Sequence, residues 1–102
     1  MPNLQSLRER AFVAQQGRCC YCGRAMWLQS PSELDLRPSR AMSRRCTAEH
    51  LIARHEGGRN RRENIAAACW LCNQRRHRRR RPLSPDAFKE LVAERMAKGR
   101  WC

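Results

Sequence analysis

Residues 46–77 read CTAEHLIARHEGGRNRRENIAAACWLCNQRRH. Residues 46–52 have the composition of a strand. Residues 55–62 hold Gly57-Gly58 and make a turn-rich loop. Residues 64–68 predict a second, short strand, and Trp70 opens a helix running to about residue 80. Strand, loop, strand and helix in that order form a compact ββα unit. Upstream, residues 3–16 predict a helix with Leu4, Leu7, Ala11 and Phe12 near one face, Ala14 adjoining it, and Gly17 as its stop. The Cys-rich knuckle RCCYCGR follows at 18–24, then a short strand at 25–28 and a loop over 29–45. Downstream, Pro82 breaks the ββα helix. Ser84-Pro85-Asp86 starts another, with Ser84 as N-cap, Phe88, Leu91, Val92 and Met96 on one face, and Gly99 at its end.

The 102 residues suffice for one domain, expected as an N-terminal helix (1–17), a metal-stapled core (18–81) and a C-terminal helix (82–102). Only six aromatic residues are present, so large rings cannot fill the core, and small folds of this kind need a staple. The sequence holds seven cysteines. Their odd number argues against a complete disulfide framework. The segment MPNLQSLRERAF lacks the apolar core of a secretory signal, and no apolar run is long enough to span a membrane. A cytoplasmic location and metal-bound thiolates are therefore expected rather than disulfides.

Cys19-x-x-Cys22 and Cys69-x-x-Cys72 have the spacing of two zinc knuckles. Two intervening residues let both sulfurs of a pair reach one tetrahedral ion about 2.3 Å away. Together they make a closed, structural four-cysteine site. In zinc-finger peptides such binding is worth about 10–16 kcal/mol. The pairs stand 46 residues apart, so the ion would clamp the N-terminal segment to the ββα unit. The alternative is a pair of disulfides or free buried thiols. Cys20 competes with Cys19, but Cys20-x-Cys22 is the less usual spacing. Cys46 reads as a small buried strand residue and Cys102 as a free terminal thiol.

A second donor set has harder chemistry. Glu49 and His50 are adjacent, and neighbours on a regular strand face opposite sides. Both reach one site only where the strand twists or ends. Asn73 and His77 are four apart and share one helix face. Glu49, Asn73 and His77 could therefore hold one divalent ion between strand and helix. Carboxylate, amide oxygen and imidazole suit Mg²⁺, Mn²⁺ or a similar ion. Each residue also has a plainer reading: His50 as a core histidine, Glu49 as a carboxylate paired with arginine, Asn73 as a helix-surface amide, His77 as a phosphate contact.

The net charge of +13 comes from 22 Lys+Arg against 9 Asp+Glu. It is concentrated in arginine, the side chain best matched to phosphate. Arg75, Arg76, Arg78, Arg79, Arg80 and Arg81 surround His77, and Arg59, Arg61 and Arg62 form a second cluster near His50. Both predict contacts with the DNA backbone, which position without specifying sequence. Trp70 and Trp101 read as packing residues.

The pattern of two Cys-x-x-Cys pairs, Glu49-His50, Gly57-Gly58, Asn64 and Asn73, in this order, resembles the HNH endonucleases of the ββα-metal (His-Me finger) superfamily. The resemblance covers residues 18–81. It implies a ββα-metal core with a structural four-cysteine zinc, flanked by helices. It also implies that His50 is the general base activating water, that Glu49, Asn73 and His77 hold the catalytic ion, and that Asn64 pins the loop and orients His50. The chain departs from many members in carrying Glu49 for Asp or His, and Asn73 for His. The function expected is metal-dependent hydrolysis of DNA phosphodiester bonds. Its alternative is a non-catalytic zinc-ribbon nucleic-acid-binding module. A third reading is a phage or mobile-element packaging accessory that adds a protein partner through residues 84–98. One active site cuts one strand, so double-strand cleavage would require a homodimer or two encounters.

Overall fold

The computed structural model describes residues 3–101. Its centre is a two-stranded antiparallel sheet of β1 (Cys46–His50) and β2 (Ile65–Cys69), with Cys46 opposite Cys69 and His50 opposite Ile65. Helix α3 (Trp70–Arg78) follows β2 without a linker. Helices α1 (Leu4–Ala14) and α4 (Pro85–Ala97) flank this unit, and a short helix α2 (Pro38–Ala41) precedes β1. The protein is thus a small α+β fold; among the described residues two strands and four helices surround a cluster of four cysteines. No helix among the described residues is long and apolar enough to cross a membrane.

A two-stranded sheet has two open edges, and unpaired strand edges must be covered. Here side chains cover both. On the β2 side, Gln15 lies just beyond α1 and meets both backbone groups of Ala67: Oε1 accepts from the N–H at 2.9 Å and Nε2 donates to the carbonyl at 2.8 Å. On the β1 side, Asn73 Nδ2 donates to the Ala48 carbonyl at 3.2 Å and Arg76 Nη1 to the His50 carbonyl at 3.0 Å. Two polar residues of α3 thus serve as the missing third strand.

The core is built around the cysteines. Cys19, Cys46, Cys69 and Cys72 are buried with Tyr21, Met26, Ala67 and Ala68, and α4 adds Phe88 and Val92 to the same cluster. Phe88 meets Tyr21 and Trp101 edge-on, at centroid distances of 5.0 and 5.8 Å. Helix α4 starts where Ser84-Pro85 predicts, with Ser84 Oγ accepting from the Ala87 N–H. It ends at Gly99, whose φ of +66° suits glycine.

Several expected bounds move. Helix α3 stops at Arg78 instead of residue 80, because a run of like charges opposes helix and Pro82 disfavours helical backbone before it. The strand expected at 25–28 reduces to isolated bridges of Ala25 with Arg18 and Trp27 with Arg45. The 29–45 loop holds α2 and two 3₁₀ turns, Pro31–Glu33 and Met42–Arg44. Ser30 caps the first turn, and the Glu33 carboxylate takes the N–H groups of Leu28, Gln29 and Ser30, which hold its pKa below the usual range. The pattern Ser30-x-x-Glu33 was the signal for this capping box. Cys102 lies outside the described residues.

The Gly57-Gly58 pair turns the chain between β1 and β2. Gly57 has φ of +92°. A Cβ on Gly58 would sit 1.7 Å from the Ile52 carbonyl oxygen and 2.9 Å from that of Ala53, both backbone atoms that cannot step aside. Gly58→Ala is expected to cost about 1–3 kcal/mol by overpacking, read as a lower urea midpoint. An unchanged midpoint would mean that the loop reshapes freely.

Candidate metal centres and active site

The first centre is formed by local turns brought together by the fold. In the N-terminal knuckle, Cys19 N–H bonds to the Arg24 carbonyl and Gly23 N–H to the Cys19 carbonyl, with Gly23 at φ +72°. In the second knuckle, Cys69 ends β2 and Cys72 lies in the first turn of α3. All four sulfurs, of Cys19, Cys22, Cys69 and Cys72, fall within 4.8 Å of one another. Cys22 and Cys69 are 3.8 Å apart. An ion about 2.3 Å from each of four tetrahedral thiolates sets the sulfurs roughly 3.8 Å apart, so the cluster fits such an ion. Cys20 is outside it; its N–H bonds to the Ala67 carbonyl.

Crowding splits the proton affinities of these thiols. Cys19 is held far down as a thiolate, first by the hydrogen bond with Cys20 and then by those with Cys22, Cys69 and Cys72. Cys72 is pushed up, first by Cys19 and then by Cys22 and Cys69. A bare cluster resists successive ionisations, and a cation at its centre removes that conflict. Trp101, predicted to be a packing residue, is buried and also donates Nε1–H to Cys72 Sγ at 3.3 Å, as outer partners of metal ligands do.

The second centre lies where β1 ends. Glu49 is fully buried. Its Oε2 accepts from the Tyr21 hydroxyl at 2.8 Å and from Arg76 Nη1 at 3.1 Å. Burial first, and the Glu49 charge second, push the Tyr21 pKa up, so the phenol remains a donor. The other carboxylate oxygen, Oε1, faces His77 Nε2 at 2.7 Å. The fold therefore unites two of the three residues expected to share an ion. Asn73 is oriented differently. Its Nδ2 is spent on Thr47 Oγ1 and the Ala48 carbonyl. Because that carbonyl can only accept, the amide nitrogen must face β1, and only Oδ1 is left to meet an ion.

Arg76 corrects the sequence reading. It was grouped with the arginines expected to contact phosphate, yet it is 3% exposed. Its donors reach Glu49 Oε2, the His50 and Leu51 carbonyls, and, through Nε, the Leu83 carbonyl at 3.0 Å. One guanidinium thus ties the end of β1 to α3 and to the segment before α4. Its neighbours Arg78, Arg79, Arg80 and Arg81 are exposed and Arg75 is half-buried, so the rest of that run keeps its outward face.

His50 is nearly buried, and its Nε2 lies 2.8 Å from Asn60 Oδ1. An amide oxygen only accepts, so Nε2 carries the proton and Nδ1 the lone pair. Asn60 carried no separate signal in the sequence beyond its place in a Gly-Gly loop. Asn64 is buried and holds that loop: Oδ1 accepts from Ile52 N–H at 2.8 Å, and Nδ2 donates to the Ile52 and Arg59 carbonyls. A cleft of about 630 Å³ beside it is lined by Arg54, Gly58, Arg59, Asn60, Arg61, Arg62 and Glu63. Arg59, Arg61 and Arg62 are all exposed. His55 is exposed and lies 3.6 Å from Glu56.

The family model for HNH endonuclease matches residues 19–79, more than half of the chain. This protein belongs to the HNH endonuclease family. Searches of curated proteins and of solved structures returned no significant match. Membership carries a nuclease-type function and a nucleic-acid partner; the matched span takes in both cysteine pairs, Glu49, His50, Asn64, Asn73 and His77.

Proposed function

We propose that this chain is a zinc-stapled, metal-dependent endonuclease that hydrolyses DNA phosphodiester bonds with His50 as general base. The observation that carries this reading is the divergence at the end of β1. Glu49 turns to His77 while His50 turns to Asn60. A structural ion needs neither pairing. Zinc is the ion that four thiolates at tetrahedral spacing favour.

With Asn60 holding the Nε2 proton, His50 presents Nδ1 to a water molecule and takes its proton as the oxygen attacks phosphorus. Such bases contribute about 10²–10⁴-fold. Asn64 acts through the loop, setting Asn60 against His50. Glu49 and His77 would hold one divalent ion, Mg²⁺ or Mn²⁺, with Asn73 Oδ1 as a further donor. When bound, that ion supplies Lewis-acid stabilisation to the charge on the phosphate and on the departing 3′-oxygen. Tyr21 and Arg76 fix Oε2 of Glu49 so that Oε1 stays toward His77. His77 would meet such an ion through Nε2, the ring nitrogen that faces Glu49 Oε1. Arg59, Arg61 and Arg62 take phosphate oxygens beside the site.

One observation favours the zinc-ribbon alternative. Glu49 is already matched by the Arg76 cation at 3.1 Å, so it requires no metal for charge balance. Supercoiled plasmid distinguishes the readings. The wild-type protein is expected to nick it in Mg²⁺ or Mn²⁺. His50→Ala should cut about 10²–10⁴-fold more slowly, and Asn60→Ala should fall between the two. No metal-dependent nicking by wild type would leave the zinc-ribbon reading standing, and equal cutting by His50→Ala would remove His50 as the base.

A further inference from the structure

Helix α3 has a second arginine face. Successive residues turn by about 100°, so Arg75 lies roughly 200° round the helix from Asn73, on the flank away from the Glu49–His77 pair. There α3 meets α4 and the C-terminal segment, and a cleft of about 370 Å³ opens between them. Arg75, Arg78, Arg79, Arg95 and Arg100 line it, with Trp101 among the apolar residues. Among the described residues no acidic side chain lines this cleft. The α4 carboxylate of Glu94 is 3.3 Å from Lys98 instead.

Arg78, Arg79, Arg95 and Arg100 bring four like charges to one cleft, where an anion would relieve their mutual repulsion. The Arg75 guanidinium lies 4.6 Å from the centroid of the Trp101 ring, which is itself buried. That ring face is therefore covered and offers no stacking platform to a base. What remains is charge and forked N–H donors, the chemistry that recognises phosphate oxygens. Arg78, Arg79, Arg95 and Arg100 are exposed at the rim.

We infer that the α3–α4 cleft binds the phosphodiester backbone of duplex DNA, as a second contact on the flank of α3 opposite the catalytic residues. Arg95 and Arg100 bring α4 and the C-terminal segment into the interface, which the arginine run of α3 alone does not reveal. The inference rests on the nucleic-acid half of the function proposed above and not on its chemistry. The cleft contributes affinity without regard to sequence, and takes no part in turnover.

The test is binding of fluorescent duplex DNA by the zinc-loaded protein, without Mg²⁺ or Mn²⁺, across a salt series. Neutralising one phosphate contributes a slope of about −0.9 in log K against log salt. Arg95→Ala/Arg100→Ala should shrink the slope magnitude by about 1.8 and weaken binding on any sequence. Arg37→Ala/Arg40→Ala removes the same charge from exposed positions outside the cleft and should leave the slope nearly unchanged. Arg95→Lys/Arg100→Lys should keep most of it. An unchanged slope in the Arg95/Arg100 alanine variant, with its melting temperature intact, would overturn the inference; so would an equal loss in the Arg37/Arg40 variant. If the Arg95/Arg100 alanine variant melts early, Arg95→Glu/Arg100→Glu is set against Arg95→Lys/Arg100→Lys: the glutamate variant should lose the slope that the lysine variant keeps, and equal slopes would overturn the inference. Plasmid nicking is read separately. A protein that loses its slope as expected but never nicks would keep the cleft and lose the nuclease.

Discussion

Removing the structural ion with a strong zinc chelator, or replacing Cys69 by serine, should leave this chain without a cooperative thermal transition. The reason lies in what the core contains. The largest fully buried side chains are Glu49, Val92, Cys46, Cys69 and Cys72, and only Val92 among them is aliphatic. The most deeply buried side chains are thus largely thiols and a carboxylate, and Phe88, Trp101, Met26 and Ile65 are buried with them. Zinc binding by four thiolates is worth about 10–16 kcal/mol in zinc-finger peptides, against about 5–15 kcal/mol for the whole stability of an ordinary domain. An ion held by the four thiolates would also join Cys19 and Cys22 to Cys69 and Cys72, so its loss would release the N-terminal knuckle from α3. Circular dichroism melts, with released zinc measured in parallel, check this. A cooperative melt persisting after the zinc is gone would remove the clamp from the account of stability.

The second large effect is expected at Arg76. Truncating Arg76 to alanine leaves Glu49 fully buried beside an empty position and strips donors from the His50, Leu51 and Leu83 carbonyls. Breaking a buried ion pair from one side costs about 3–5 kcal/mol. Neutralising the stranded carboxylate should recover part of that, so Arg76→Ala with Glu49→Gln is expected to be more stable than Arg76→Ala alone. Three residues along, Arg79→Ala should stay within about ±0.5 kcal/mol, since its side chain is exposed. Urea unfolding of the four proteins gives the comparison. If Arg76→Ala matched Arg79→Ala, the guanidinium would have no part in holding the end of β1.

This contrast between neighbouring arginines shows where reading the chain stops. Six arginines between 75 and 81 look alike in composition. Arg76 differs because it lies four residues after Cys72 and so shares the face that the cysteine turns inward. That cue was present in the spacing. Its outcome depended on β1 ending where one guanidinium could collect a carboxylate and two carbonyls. Asn73 carries the same lesson. Its place one turn before His77 suggested a shared ion; only packing decided that the open edge of β1 holds its amide nitrogen and leaves Oδ1 as its remaining polar atom.

The ligand pairs, the strand–loop–strand–helix order, the Ser84-Pro85 start and the Gly-Gly turn were legible from sequence alone. Each depends on residues a few positions apart, and over such distances covalent geometry and backbone preference act almost unopposed. Tertiary packing alone decided that Tyr21 and Arg76 hold Glu49, that Gln15 closes the edge of β2, that Asn60 sets the His50 tautomer, and that Arg95 and Arg100 face Arg75 across a cleft. Most of these pairings join elements far apart in the chain. They form only once a strand edge or a helix flank is left open and the nearest polar side chain must satisfy it.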